Sequence, residues 1–180
     1  IIPRNNKLIN IKVTELGTYT FILNDDLEKP LTIFVSKYND EVEGYTIYEP
    51  GTYNSPIVLK EGDKLYFKKG VYNILKFELA SHSEIVFEDG TFIQTINPSL
   101  DNETPVLNPD WANMIRYPAF ITASDKTDIK ISCKAIIDLG NISWHGRLGL
   151  FMERCKELTF KDFMLVNSPE WTLEVECSED

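Results

Sequence analysis

Gly62-Asp63-Lys64-Leu65-Tyr66-Phe67-Lys68-Lys69-Gly70-Val71-Tyr72 reads as two short strands hinged at a glycine. His82-Ser83-Glu84-Ile85-Val86-Phe87-Glu88-Asp89-Gly90-Thr91-Phe92 repeats the pattern: polar residues, an apolar-x-apolar triplet, a turn, and another apolar pair. It returns in Lys126-Thr127-Asp128-Ile129-Lys130-Ile131-Ser132-Cys133-Lys134-Ala135-Ile136 and in Lys156-Glu157-Leu158-Thr159-Phe160-Lys161-Asp162-Phe163-Met164. The leading apolar residues Leu65, Ile85, Ile129 and Leu158 stand 20, 44 and 29 residues apart, which fits one unit, about two units, and one unit with an insertion. A period in the low twenties, made of short strands without helices, predicts coils of a parallel β-helix around one continuous core. On that reading these four residues form a single inward column. The run Thr95 to Trp111, rich in Pro, Asn and Asp, is then a long loop projecting from the solenoid.

Outward from this core the chain stays all-β. Leu8-Ile9-Asn10-Ile11-Lys12-Val13, Gly17-Thr18-Tyr19-Thr20-Phe21-Ile22-Leu23 and Leu31-Thr32-Ile33-Phe34-Val35 are β-branched or aromatic runs bounded by turn formers. The turn-rich stretch from Ser36 to Gly44 marks the domain boundary. Residues 1–40 precede it, 41–48 form the linker, and 49–180 are the coils.

Composition narrows the function. With 43% apolar and 12% aromatic residues, 180 residues form a globular core. A net charge of -10, from 18 basic and 28 acidic residues, argues against nucleic acid and against anionic membrane surfaces as partners. No apolar run approaches the roughly 20 residues of a membrane span. Cys133, Cys155 and Cys177 lack metal-ligand spacing and read as small buried hydrophobes, and with only His82 and His145 beside them no metal or other cofactor is expected. Phosphate loops, nucleophile elbows and zinc-hydrolase motifs are missing from the sequence. The chain has no initiating Met and stops at Cys177-Ser178-Glu179-Asp180, so both ends are expected to have been cut from a longer polypeptide.

Two places invite chemistry. Trp171-Thr172-Leu173-Glu174-Val175-Glu176-Cys177 alternates, with Trp171, Leu173, Val175 and Cys177 on one face and Thr172, Glu174 and Glu176 on the other. Two outward carboxylates suit the acid and base roles of a glycosidase, or simply form a solvated strand face. Ser143-Trp144-His145-Gly146-Arg147 offers a stacking ring and polar donors for a sugar, or else Trp144 plugs the solenoid.

Ala135-Ile136-Ile137-Asp138-Leu139-Gly140 with Ser143-Trp144, then Phe151-Met152-Glu153-Arg154-Cys155-Lys156-Glu157-Leu158 and Asn167-Ser168-Pro169-Glu170-Trp171-Thr172, resemble glycoside hydrolase family 28, the polygalacturonase-like pectinases, over about 45 residues. Tyr48-Glu49-Pro50-Gly51-Thr52-Tyr53, Ile57-Val58-Leu59-Lys60 and Leu65-Tyr66-Phe67 are similar to the start of the β-helix in bacterial members that carry an N-terminal β-sandwich. The dextranase-like family shares that plan. The resemblance implies a right-handed parallel β-helix of the pectin-lyase type, with residues 1–40 as the last strands of an immunoglobulin-like sandwich. It also implies secretion and inverting hydrolysis of an α-linked polysaccharide. The family's Asn-Thr-Asp, Asp-Asp, Gly-His-Gly and Arg-Ile-Lys motifs do not occur in the coil region, residues 49–180, so no catalytic residue carries over and the chain alone is expected to be inactive. Trp144, His145, Arg147, Trp171 and Glu174 are the candidates for lining a sugar cleft. Ala135, Leu139 and Glu174 depart from the family pattern, which leaves the sugar open. The competing reading is a non-catalytic β-helix that binds or displays carbohydrate, as adhesins and phage tail proteins do.

Overall fold

Short β-branched and aromatic runs separated by turn formers fold as strands throughout. The computed structural model describes residues 2–5, 8–28, 30–35, 43–107, 115–162, 164–176 and 178, and no helix occurs among them. The chain divides into two compact units, Ile1–Asp40 and Glu41–Asp180.

In the first unit, β1 (Ile2–Asn5) pairs antiparallel with β2 (Leu8–Asn10), and β3 (Gly17–Phe21) with β4 (Leu31–Val35). The β3–β4 register sets Tyr19 opposite Ile33 and Phe21 opposite Leu31 on one face. On the other face the hydroxyls of Thr20 and Thr32 meet at 3.3 Å. The apolar face is not sealed within this unit, since Leu31 is 59% exposed.

The second unit winds. Its first turn is β5 (Thr46–Tyr48), β6 (Gly51–Tyr53) and β7 (Ile57–Val58); its second is β8 (Lys64–Phe67), β9 (Val71–Ile74) and β10 (Phe77–Glu78). The third contains β11 (Glu84–Phe87) and β12 (Phe92–Thr95), then the antiparallel pair β13 (Val106–Leu107) and β14 (Ile115–Arg116), then β15 (Ile121–Ser124). The fourth is β16 (Thr127–Cys133), β17 (Ile136–Asp138) and β18 (Leu150–Glu153), and the fifth is β19 (Lys156–Lys161), β20 (Met164–Val166) and β21 (Leu173–Glu176). Corresponding strands of successive turns pair in parallel to give three five-stranded sheets, β5-β8-β11-β16-β19, β6-β9-β12-β17-β20 and β7-β10-β15-β18-β21. These are called the first, second and third sheets. The architecture is all-β and parallel β-helix-like. Winding begins at Thr46, inside the stretch read from sequence as linker, because Thr46–Tyr48 already pairs with Leu65–Phe67.

Every third of a turn contributes inward side chains to a shared core. The third sheet stacks Ile57, Phe77, Ile121 and Leu150, all buried, in one column. The first sheet stacks Tyr48 on Phe67 at 4.6 Å between ring centroids and Phe67 on Phe87 at 4.8 Å. That is the spacing of neighbouring strands, about 4.8 Å. The Tyr72 hydroxyl, buried beside this stack, donates to the carbonyls of Tyr48 and Lys68 at 2.9 and 2.7 Å.

The expected column of Leu65, Ile85, Ile129 and Leu158 needs correction. Ile85 pairs with Ile131, not Ile129, and Ile131 pairs with Phe160, so the column is Leu65, Ile85, Ile131 and Phe160. Ile129 pairs with Leu158 two residues earlier on the same inward face. The slip is of two because inward positions recur with period two, so the core face is kept. In the last two turns Glu153 pairs with Glu176, 23 residues on; Cys177 lies outside the described residues.

Left-handed backbone at residues other than glycine occurs at corners between sheets, including Asp125 (φ 56°), Arg154 (φ 50°) and Asp162 (φ 54°), and inside β19 at Glu157 (φ 55°). Replacing exposed Glu157 by Asn, which tolerates this conformation better, is expected to raise unfolding stability by about 0.5–1 kcal/mol. Phe87→Ala, which empties the aromatic stack, is expected to cost about 3–5 kcal/mol. Urea unfolding of both variants checks these values, with an unchanged m expected.

Candidate functional site

Alternation along the third sheet turns a second set of side chains outward. Val58, Glu78, Thr122, Phe151 and Glu174 form one outward column, and Ser124, Glu153 and Glu176 the next. Glu174 and Glu176 thus lie on the face opposite Leu173 and Val175, which continue the inward columns of Leu150 and Met152. The Ser124 hydroxyl donates to Glu153 Oε2 at 3.3 Å. At the adjoining corner the Arg154 guanidinium grips Asp125 through two hydrogen bonds of 2.7 Å and also contacts Glu153. Arg154 holds the Asp125 carboxyl below its ordinary pKa.

Two turns lead into the last strands of this sheet, residues 139–149 before β18 and 167–172 before β21. They lie directly on one another. The His145 amide donates to the Pro169 carbonyl at 3.0 Å, and the Gly149 amide to the Trp171 carbonyl at 3.1 Å. Contact is so close at Gly149 that a Cβ there would lie 2.4 Å from the Thr172 carbonyl oxygen. Asp138 braces the same corner, accepting from the Gly140 amide at 2.8 Å and from Asn167 Nδ2 at 2.9 Å. The stacked turns leave Trp144 75% and Trp171 65% exposed. His145, held at φ 56°, sets its ring 3.9 Å from that of Trp144, and its Nδ1 stands 3.6 Å from Glu170 Oε1.

Trp144, His145, Trp171 and Glu174 therefore belong to neighbouring turns and strands of one face. Trp144 does not plug the solenoid. Arg147 is different: it is fully buried, donating to the Leu75 carbonyl at 2.5 Å and paired with Glu103. It cannot line a sugar cleft. Lys76 completes the cluster, 2.9 Å from Glu103 Oε1 and 2.8 Å from Glu78 Oε1. Burial acts against the Lys76 ammonium, but Glu78 and Glu103 outweigh it and hold its pKa above the usual lysine value. Burial pulls the Arg147 pKa down, opposed by Glu103.

Glu103 belongs to the run Thr95 to Trp111, whose composition predicts a projecting loop. Its burial shows instead that this segment is tied down between β12 and β13, where Asn102 Oδ1 accepts from the Ser99 amide at 2.8 Å. Residues 108–114, which include the rest of that loop up to Trp111, lie outside the described residues. A signal for the cluster was present: Lys76 sits between the apolar residues Leu75 and Phe77, where an ammonium needs a partner. Phe151 and Glu153, also missed, follow from the register of β18 alone.

The face can stack sugar rings on indole and accept hydroxyl protons on carboxylates. Among the described residues no group of three or more His, Cys, Asp and Glu is placed to share a metal ion. Cys133 and Cys155 are buried free thiols, and burial pushes the Cys133 pKa up to about 12. No helix among the described residues is long and apolar enough to cross a membrane. Comparison of the chain with family models, with curated proteins and with solved structures returns no match.

Removing one member of the buried cluster strands a charge. Glu103→Ala is accordingly expected to cost about 3–5 kcal/mol, whereas Trp144→Ala should stay within about 0.5 kcal/mol. Gly149→Ala forces the two turns apart and should cost about 1–3 kcal/mol. Equilibrium urea denaturation of the three variants distinguishes these outcomes.

Proposed function

We propose that this chain supplies polysaccharide-contacting coils of a glycoside hydrolase resembling family 28, wound as a right-handed parallel β-helix and working outside the cell. One observation carries the reading: two exposed tryptophans on directly stacked turns beside a carboxylate-bearing outer face. Right-handed winding agrees with the general rule for parallel crossover connections. The preceding antiparallel strands fit the tail of an immunoglobulin-like sandwich. Inverting hydrolysis of an α-glycosidic bond needs one carboxylic acid to protonate the leaving oxygen and another carboxylate to activate water. The family's acidic motifs do not occur in residues 49–180, and in this reading these coils hold substrate.

A non-catalytic carbohydrate-binding β-helix is the second reading, favoured by one feature. Glu153, the outward acid beside Glu176, is already engaged by Ser124 and Arg154. Under both readings the tryptophans bind. In affinity electrophoresis through gels containing plant or bacterial polysaccharides, the chain is expected to be retarded by at least one of them, without release of reducing ends. Trp144→Ala combined with Trp171→Ala should remove the retardation, since aromatic stacking supplies about 0.5–1.5 kcal/mol per ring beyond area burial. Retardation that survives the double substitution would sink the proposal.

A further inference from the structure

We infer that His145 and Glu170 form a charge-dependent clasp across the two stacked turns, one that fixes Trp144 against Trp171 for the glycan and opens when His145 loses its proton. This rests on the reading of that face as a polysaccharide site. Each tryptophan is the chain neighbour of one member of the pair: Trp144 precedes His145, and Trp171 follows Glu170. His145 Nδ1 stands 3.6 Å from Glu170 Oε1. That separation is too long for a hydrogen bond but within ion-pair reach, so the attraction depends on a charged imidazole. The two side chains are only 20% and 10% exposed, so salt screens them less than it screens a pair in open solvent. The imidazole in turn lies 3.9 Å from the Trp144 indole, and its placement is thereby passed to the stacking ring.

Within residues 139–149 and 167–172 the titratable side chains are His145, Arg147 and Glu170. Arg147 is buried on Glu103 and the Leu75 carbonyl. On the flanking elements, Asp138 at the end of β17 accepts from the Gly140 amide and Asn167, and Glu174 is outward on β21. Tyr117 lies against the first turn, its amide donating to the Gly146 carbonyl at 2.9 Å. Of these residue types, histidine is the one that ordinarily changes charge between about pH 5 and 8. Below that range an imidazolium faces the Glu170 carboxylate and the clasp is closed; above it the ring is neutral and the clasp is open. A closed clasp holds the two indoles in one relation before the sugar arrives, which lowers the ordering cost of binding. Glycan association therefore weakens as pH rises.

The test is affinity electrophoresis of the full chain through gels of dextran, linear arabinan and polygalacturonate at fixed ionic strength, from about pH 5.5 to about pH 8. Retardation is measured against gels without polysaccharide. For the glycan that retards the chain most, the association constant should fall about threefold or more across that range. His145→Asn keeps a residue that accepts the left-handed backbone, φ 56°, at this position. This variant and Glu170→Gln should each flatten the profile near the high-pH level of the unmodified chain, whereas a merely structural role would weaken binding at every pH and leave the slope. A pH-independent profile for the unmodified chain, a decline that survives either substitution, or loss of association at every pH in both variants overturns the inference and leaves the polysaccharide reading standing. Association with none of the three glycans at any pH overturns both.

Discussion

Strands of a parallel ladder lie about 4.8 Å apart, and each residue of one turn must find its like at that distance in the next. This stacking constraint governs the second unit. Tyr48, Phe67 and Phe87 satisfy it with rings in contact, and Ile57, Phe77, Ile121 and Leu150 satisfy it with alternating shapes on another wall. The hydrophobic gain is spread over columns instead of a single centre. Each buried Phe, Leu or Ile contributes about 1.5–3 kcal/mol, so no one residue defines the core.

The same stacking produces the candidate site. Because insertions do not disturb the ladders, the connections from the second sheet to the third vary in length while β10, β15, β18 and β21 stay in register. Successive turns therefore collect on one side of the solenoid and pack on one another. Gly149 permits the closest of these contacts, and the result is a pair of tryptophans held outward by backbone hydrogen bonds instead of by burial of their rings.

Such an arrangement has a polar cost that Glu103, Arg147 and Lys76 absorb. The fully buried Arg147 caps the Leu75 carbonyl and meets the carboxylate of Glu103 from the longest connection, while Lys76 meets that carboxylate from the second turn. Buried ionic groups of this kind stabilise little in net terms, but removing any one leaves its partner uncompensated. Their effect is to fix one placement of the connections over others.

The sequence alone determined the strand content, the repeating coil unit and the inward parity of Leu65, Ile85, Ile129 and Leu158, because alternation and turn residues are local properties. It also placed Glu174 and Glu176 opposite Leu173 and Val175, for the same reason. Only the tertiary structure decided that Ile131 and not Ile129 follows Ile85, since two registers two residues apart bury equally apolar faces and the choice is made by packing across turns. Only it separated Arg147 from its neighbours Trp144 and His145. A charge three residues from an exposed tryptophan reads as surface until a carboxylate 44 residues earlier, Glu103, is brought against it by the winding of the chain.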